Sequence, residues 1–173
     1  MRRFCLMLIL AVGFANTASA FELRSNSFPS KGNIPAAHTC DDRNVSPPLH
    51  WTDPPEGAQS FALIVDDPDA PIGTWVHWVM YNLPHSKRSL EGEISDSEVL
   101  SDGIKQGMSD FNQVGYGGPC PPSGKPHHYH FKLYALDTVL DLPSGQTKTT
   151  LLQAMQGHIL AEAQLIGLYQ RKS

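Results

Sequence analysis

Three stretches of the chain gather residues able to hold a polar ligand. The first, Asp66-Asp67-Pro68-Asp69-Ala70-Pro71, follows an apolar run and sets carboxylates between prolines that fix the backbone. It is either an acidic turn ending a strand or a rigid mount for Asp67. The second is Trp75-Val76-His77-Trp78. On a strand, His77 would share a face with Trp75, Val79 and Tyr81 and look into an aromatic-walled space. Alone it reads as a core histidine; it gains chemical meaning where other polar groups converge on it. The third runs from Gly115-Tyr116-Gly117-Gly118-Pro119-Cys120-Pro121-Pro122-Ser123-Gly124 into Lys125-Pro126-His127-His128-Tyr129-His130. Its glycines allow close backbone approach and, near Gly118, an anion-accepting nest of N–H groups, while its prolines stiffen the rest. His127 would enter the next strand on the face of Tyr129 and Phe131, pointing inward.

Groups this far apart meet only if rigid elements carry them. Phe61 to Val65 is a continuous apolar run whose length and flanks suit a strand buried on both faces. Trp75–Leu83 and Tyr129–Leu136 alternate as strands. In the latter, Tyr129, Phe131, Leu133 and Ala135 share one face, and His128, His130, Lys132 and Tyr134 the other. Shorter strands are expected at Phe21–Arg24 and around Leu49–Trp51. Leu152, Met155, Ile159, Ala163 and Ile166 recur at helical spacing, and Thr150 with Gln153 gives a capping-box start, so a C-terminal helix is predicted there. Gly157 would weaken it by about 1 kcal/mol relative to Ala. The pattern predicts a mainly β protein, an antiparallel β-sandwich with a C-terminal helix.

Composition narrows the function classes. With 13 Lys+Arg against 17 Asp+Glu the chain carries −4, which argues against nucleic acid as a partner. Hydrophobic residues make up 40% of the 173, enough for one domain with a real core, and 14 Gly plus 14 Pro favour shaped loops over a helix bundle. Residues 1–20 read as a secretory signal: Arg2 and Arg3, an apolar stretch from Phe4 to Phe14, then Ala18-Ser19-Ala20. That stretch is too short for a membrane span, which needs about 20 residues. Residues 21–173 then form one exported domain, periplasmic or secreted, with no integral span after cleavage. Cys5 leaves with the signal, so Cys40 and Cys120 remain as an even pair, either bridged or two buried thiols. A bridge across this loop stabilises by about 4–5 kcal/mol in the chain-entropy model.

Asp67-Pro68-Asp69-Ala70-Pro71, Trp75-x-His77-Trp78, Gly117-Gly118-Pro119-Cys120-Pro121-Pro122 and His127-His128-Tyr129 occur in an order that resembles the phosphatidylethanolamine-binding protein family, also called Raf kinase inhibitor-like proteins. The likeness is nearest to the bacterial exported branch. It extends to Asn44-Val45-Ser46-Pro47, Trp51 and Tyr81-Asn82-Leu83-Pro84. The resemblance implies a β-sandwich with a small anion pocket for phosphate or phosphoethanolamine-type head groups. Asp67, Trp75, His77, Gly118, Pro121, His127 and Tyr129 would line it, with Pro71 and the backbone around Cys120 at the wall. It also implies a Cys40–Cys120 disulfide, a homodimer, and a role as inhibitor or modulator of a partner protein. One departure is Asp110-Phe111-Asn112-Gln113, where bacterial members carry glycine after the phenylalanine.

The expected mechanism is binding, with no cofactor and no catalysis. Neutral His77 and His127 can each donate one ring N–H, and protonated forms two. Asp67 would orient a histidine or hold the ammonium of a zwitterionic head group. Affinity for phosphate should rise as pH falls toward about 6. The alternative is a metal-dependent enzyme using the His128-x-His130 pair, which would face away from His127. A hydrolase lacks a G-x-S-x-G elbow, and Ser123 lacks the setting of a nucleophile.

Overall fold

The apolar run 61–65 becomes the buried centre of the larger of two sheets. The computed structural model describes residues 20–171; of the expected signal segment, residues 1–19 lie outside the described residues. In chain order the first strands are β1 (Glu22–Arg24), β2 (Gly32–Asn33), β3 (Leu49–Thr52), β4 (Ser60–Asp67) and β5 (Trp75–Pro84). Then follow β6 (Ser89–Leu90), β7 (Lys105–Gln106), β8 (His127–Leu136), the helix α1 (Lys148–Ala154) and β9 (Ile159–Tyr169). Strands β1-β3-β6 make a small sheet and β2-β9-β8-β4-β5-β7 a large one. All pairings are antiparallel except β2 with β9.

Alternation along β4 divides its apolar residues between two cores. Phe61, Leu63 and Val65 join Leu23, Leu49, Trp51 and Leu90 of the small sheet, which is the sandwich interior. Ala62 and Ile64 join Leu151 and Met155, so α1 packs on the outer face of the large sheet. The architecture is thus the expected mainly β sandwich, and among the described residues no helix is long and apolar enough to cross a membrane.

Two expectations need correction. The helix stops at Ala154, is capped by the Thr147 side chain accepting from the Thr150 N–H, and its periodicity does not continue. Gly157 takes φ 81°, and from Ile159 the chain runs as β9, paired along the whole length of β8. Ala163 and Leu165 alternate into the interior while Ile159 is 44% exposed, so a period of two wins over the apparent helical spacing. Strict alternation along β5 also fails. Val65 pairs with Trp78 and Asp66 with Val76, leaving His77 as an extra residue in a bulge. Val79 and Tyr81 therefore face the outer core, whereas His77 stays on the inner side with Tyr129.

Candidate functional site

Because β4 is hydrogen-bonded to both β5 and β8, its C-terminal end lies between the starts of those two strands. Asp67, Trp75, His77, His127 and Tyr129 are brought together by that register. The turn from Pro68 is tied down locally: Asp67 Oδ1 accepts the Asp69 N–H at 2.8 Å, and Asp67 pairs with Trp75 across the strands.

The polar groups are few and buried. His127 Nδ1 lies 2.7 Å from Asp67 Oδ2, with both residues buried, so the carboxylate accepts the Nδ1–H and leaves Nε2 as the other ring nitrogen. His77 Nδ1 donates to the Gly117 carbonyl at 2.6 Å, and Gly117 N–H returns a bond to the His77 carbonyl at 2.9 Å. Burial pushes the His77 pKa below its ordinary 6.5, more than the Gly117 carbonyl and then Asp67 raise it. Tyr129 is 1% exposed and its hydroxyl has no hydrogen-bond partner. Burial, then the nearby Asp67 charge, raises its pKa far above that of a free phenol, yet the hydroxyl makes no bond with the carboxylate.

These residues line one cavity of about 350 Å³ together with Ala70, Pro71, Ile72, Phe111, Cys120, Pro121 and Pro122. Phe111 meets Trp75 edge-on at 5.5 Å and His77 at 5.2 Å, and the His77 and Tyr129 rings meet at 5.1 Å. A mostly apolar wall with a few fixed polar atoms is the usual form of a small-molecule site.

Six of the seven expected binding residues line this space; Gly118 does not. Its N–H donates to Asn44 Oδ1 at 2.8 Å, and a Cβ there would lie 2.4 Å from the His38 carbonyl oxygen. Gly117 N–H is likewise engaged, so the expected nest of free donors is absent at these two glycines: they lock the loop against residues 38–44. Cys40 and Cys120 are joined in a disulfide, and Cys40 N–H also donates to the Pro119 carbonyl. Phe111 and Ile72 were not anticipated as wall residues. Asp110 fastens the Phe111 loop to β5 by accepting the Val76 N–H at 2.7 Å. Asn112, where relatives carry glycine, adopts φ 57°, a left-handed conformation that asparagine tolerates.

The histidine pair on the outer face is engaged otherwise. His128 Nδ1 lies 2.7 Å from Asp69 Oδ2, which holds the Asp69 carboxyl below its usual range, and His130 bonds with Gln164. Among the described residues no group of three His, Cys, Asp or Glu is arranged to hold a metal ion.

Comparison with known proteins agrees with this geometry. A family model described as phosphatidylethanolamine-binding protein matches residues 24–170. A UPF0098 protein of Methanothermobacter thermautotrophicus is 53% identical over 149 residues, 86% of this chain and 98% of the relative. One of Aquifex aeolicus is 48% identical over 160 residues, covering 91% and 93%. Among solved structures, a phosphatidylethanolamine-binding protein homologue of Chlamydia trachomatis superposes with TM-score 0.81 at 39% identity, covering 88% of this chain and 99% of that one. E. coli YbcL, described as a member of the mammalian family of that name, superposes with TM-score 0.82 at 35% identity, covering 89% and 100%.

Proposed function

Because the chain belongs to the phosphatidylethanolamine-binding protein family, we propose that it binds a small phosphate-type anion or phosphoethanolamine head group in the cavity beside His77, His127 and Tyr129. The observation that carries this reading is the Tyr129 hydroxyl, buried in the cavity wall without a partner. A buried hydroxyl left unsatisfied costs about 1–3 kcal/mol, a cost that a ligand oxygen in the cavity removes.

The tautomers define what the site offers. With Nδ1 of each histidine already committed, the neutral rings retain lone pairs at Nε2, and Tyr129 supplies the one free donor. An anion therefore binds best when protons enter with it, converting Nε2 into a charge-assisted donor. Asp67 orients His127 and provides the carboxylate that an ethanolamine ammonium would meet. No turnover is assigned: the site acts by occupancy, as the sensor or anchor of a protein that modulates a partner. We place it outside the cytoplasm, supported by Arg2 and Arg3, the apolar stretch, Ala18-Ser19-Ala20 and the disulfide.

Calorimetry with phosphate and with phosphoethanolamine across pH 5–8 tests the reading. His77 titrates below 6.5 when the cavity is empty, and a bound anion favours its charged form. Binding thus takes up a proton, and affinity rises as pH falls through 6.5. Equal affinity at all pH values, in wild type and His77→Ala alike, would falsify it.

A further inference from the structure

Cys120 is at once half of the disulfide and part of the cavity wall, and both cysteines are exposed. We propose that Cys40–Cys120 is a thiol–disulfide exchange site at which a dithiol reductant opens the cavity wall and lowers affinity for the ligand. The inference rests on the reading of this cavity as the ligand site.

The exchange itself is ordinary sulfur chemistry. A thiolate of the dithiol attacks one cystine sulfur, the S–S bond breaks to a mixed disulfide, and the second thiol closes the reductant into its own disulfide. Two electrons pass to the cysteine sulfurs and two protons follow, giving two free thiols. Exposure of both residues gives the attacking thiolate access.

The response is local because the two ends of the bridge are held very differently. The Cys40 side is pinned without the sulfur. Cys40 N–H bonds the Pro119 carbonyl at 3.1 Å, Asn44 holds Gly118, and Tyr116 Oη donates to the His38 carbonyl at 2.7 Å. The neighbouring Asp41 takes the Tyr169 hydroxyl at 2.6 Å and pairs with Arg171 at 3.0 Å. Beyond Cys120 the chain is exposed from 122 to 126, with Gly124 at φ 145° and its carbonyl bonded to Gln170. Reduction thus frees the segment carrying Cys120, Pro121 and Pro122, while His77 keeps its bond to Gly117 and His127 stays in β8. The coupling is reciprocal: a ligand preferring the closed wall favours the disulfide over the dithiol by the same factor.

The test titrates phosphoethanolamine into oxidised protein and into protein reduced with excess dithiothreitol, with hydrogen exchange read on both. We expect affinity at least tenfold weaker after reduction, reproduced by Cys40→Ser, with protection lost in 119–127 and retained in β4, β5 and β8. Equal affinity in the two redox states overturns the inference. So does uniform loss of protection through the sheets, which would make the bridge a staple of the whole fold. Failure of oxidised protein to bind phosphoethanolamine counts instead against the site reading, and the exchange pattern then decides the local opening by itself.

Discussion

On the outer face of the large sheet, Asp66 is 1% exposed and meets Lys132 at 3.0 Å and Lys148 as well, joining β4 to β8 and to the start of α1. One residue later, on the inner face, Asp67 meets His127 and the Asp69 N–H, beside a tyrosine hydroxyl that meets nothing. Two neighbouring buried carboxylates are thus resolved in opposite ways. The outer one is saturated by two cations, the condition under which a buried charge serves stability. The inner one sits in a cluster with hydrogen-bonding capacity left over and a cavity in front of it. Unspent polar capacity facing a hollow separates a site from a brace.

The comparison breaks most readily at Asp66. Replacing Asp66 with Asn strips a buried partner from two lysines and should cost about 3 kcal/mol, the low end for such a loss because both lysines reach solvent. Urea denaturation measures this, and the folded variant should keep its affinity for phosphoethanolamine. Asp67→Asn sharpens the contrast: a loss of about 1–2 kcal/mol in stability, with affinity falling at least tenfold in calorimetry. A brace-like result there, stability lost and affinity kept, would erase the distinction. Tyr129→Phe should leave stability unchanged or raise it by up to about 1 kcal/mol, since a buried unpartnered hydroxyl disappears. Its affinity should nevertheless drop about tenfold, the loss of roughly 1.4 kcal/mol.

Much of this division is visible before any coordinates. The run Phe61–Val65 announces a strand buried on both faces, and residues 67, 77 and 127 each stand at or near a strand end beside prolines or glycines. Strand pairing then brings them together. What escapes is whatever depends on neighbours distant in sequence. Leu152, Met155, Ile159 and Ala163 share a helical spacing by coincidence, and the competing alternation of Ala163, Leu165 and Gly167 prevails because β8 offers an open edge to pair with. Gly118 looks like a donor loop until Asn44 and the His38 carbonyl are seen pressed against it. Phe111 has no periodic signal at all; its place in the wall comes from Asp110 fastening that loop to Val76. The bulge at His77 is equally hidden, since an extra residue in one strand leaves no mark on its own sequence.

The most direct test is a crystal structure of the oxidised protein grown with phosphoethanolamine at pH 6. The account predicts a phosphoryl oxygen within about 2.6–3.2 Å of Tyr129 Oη, with Nε2 of His77 or His127 facing the same group. A phosphoethanolamine seated elsewhere, with Tyr129 Oη still unpartnered, would contradict it.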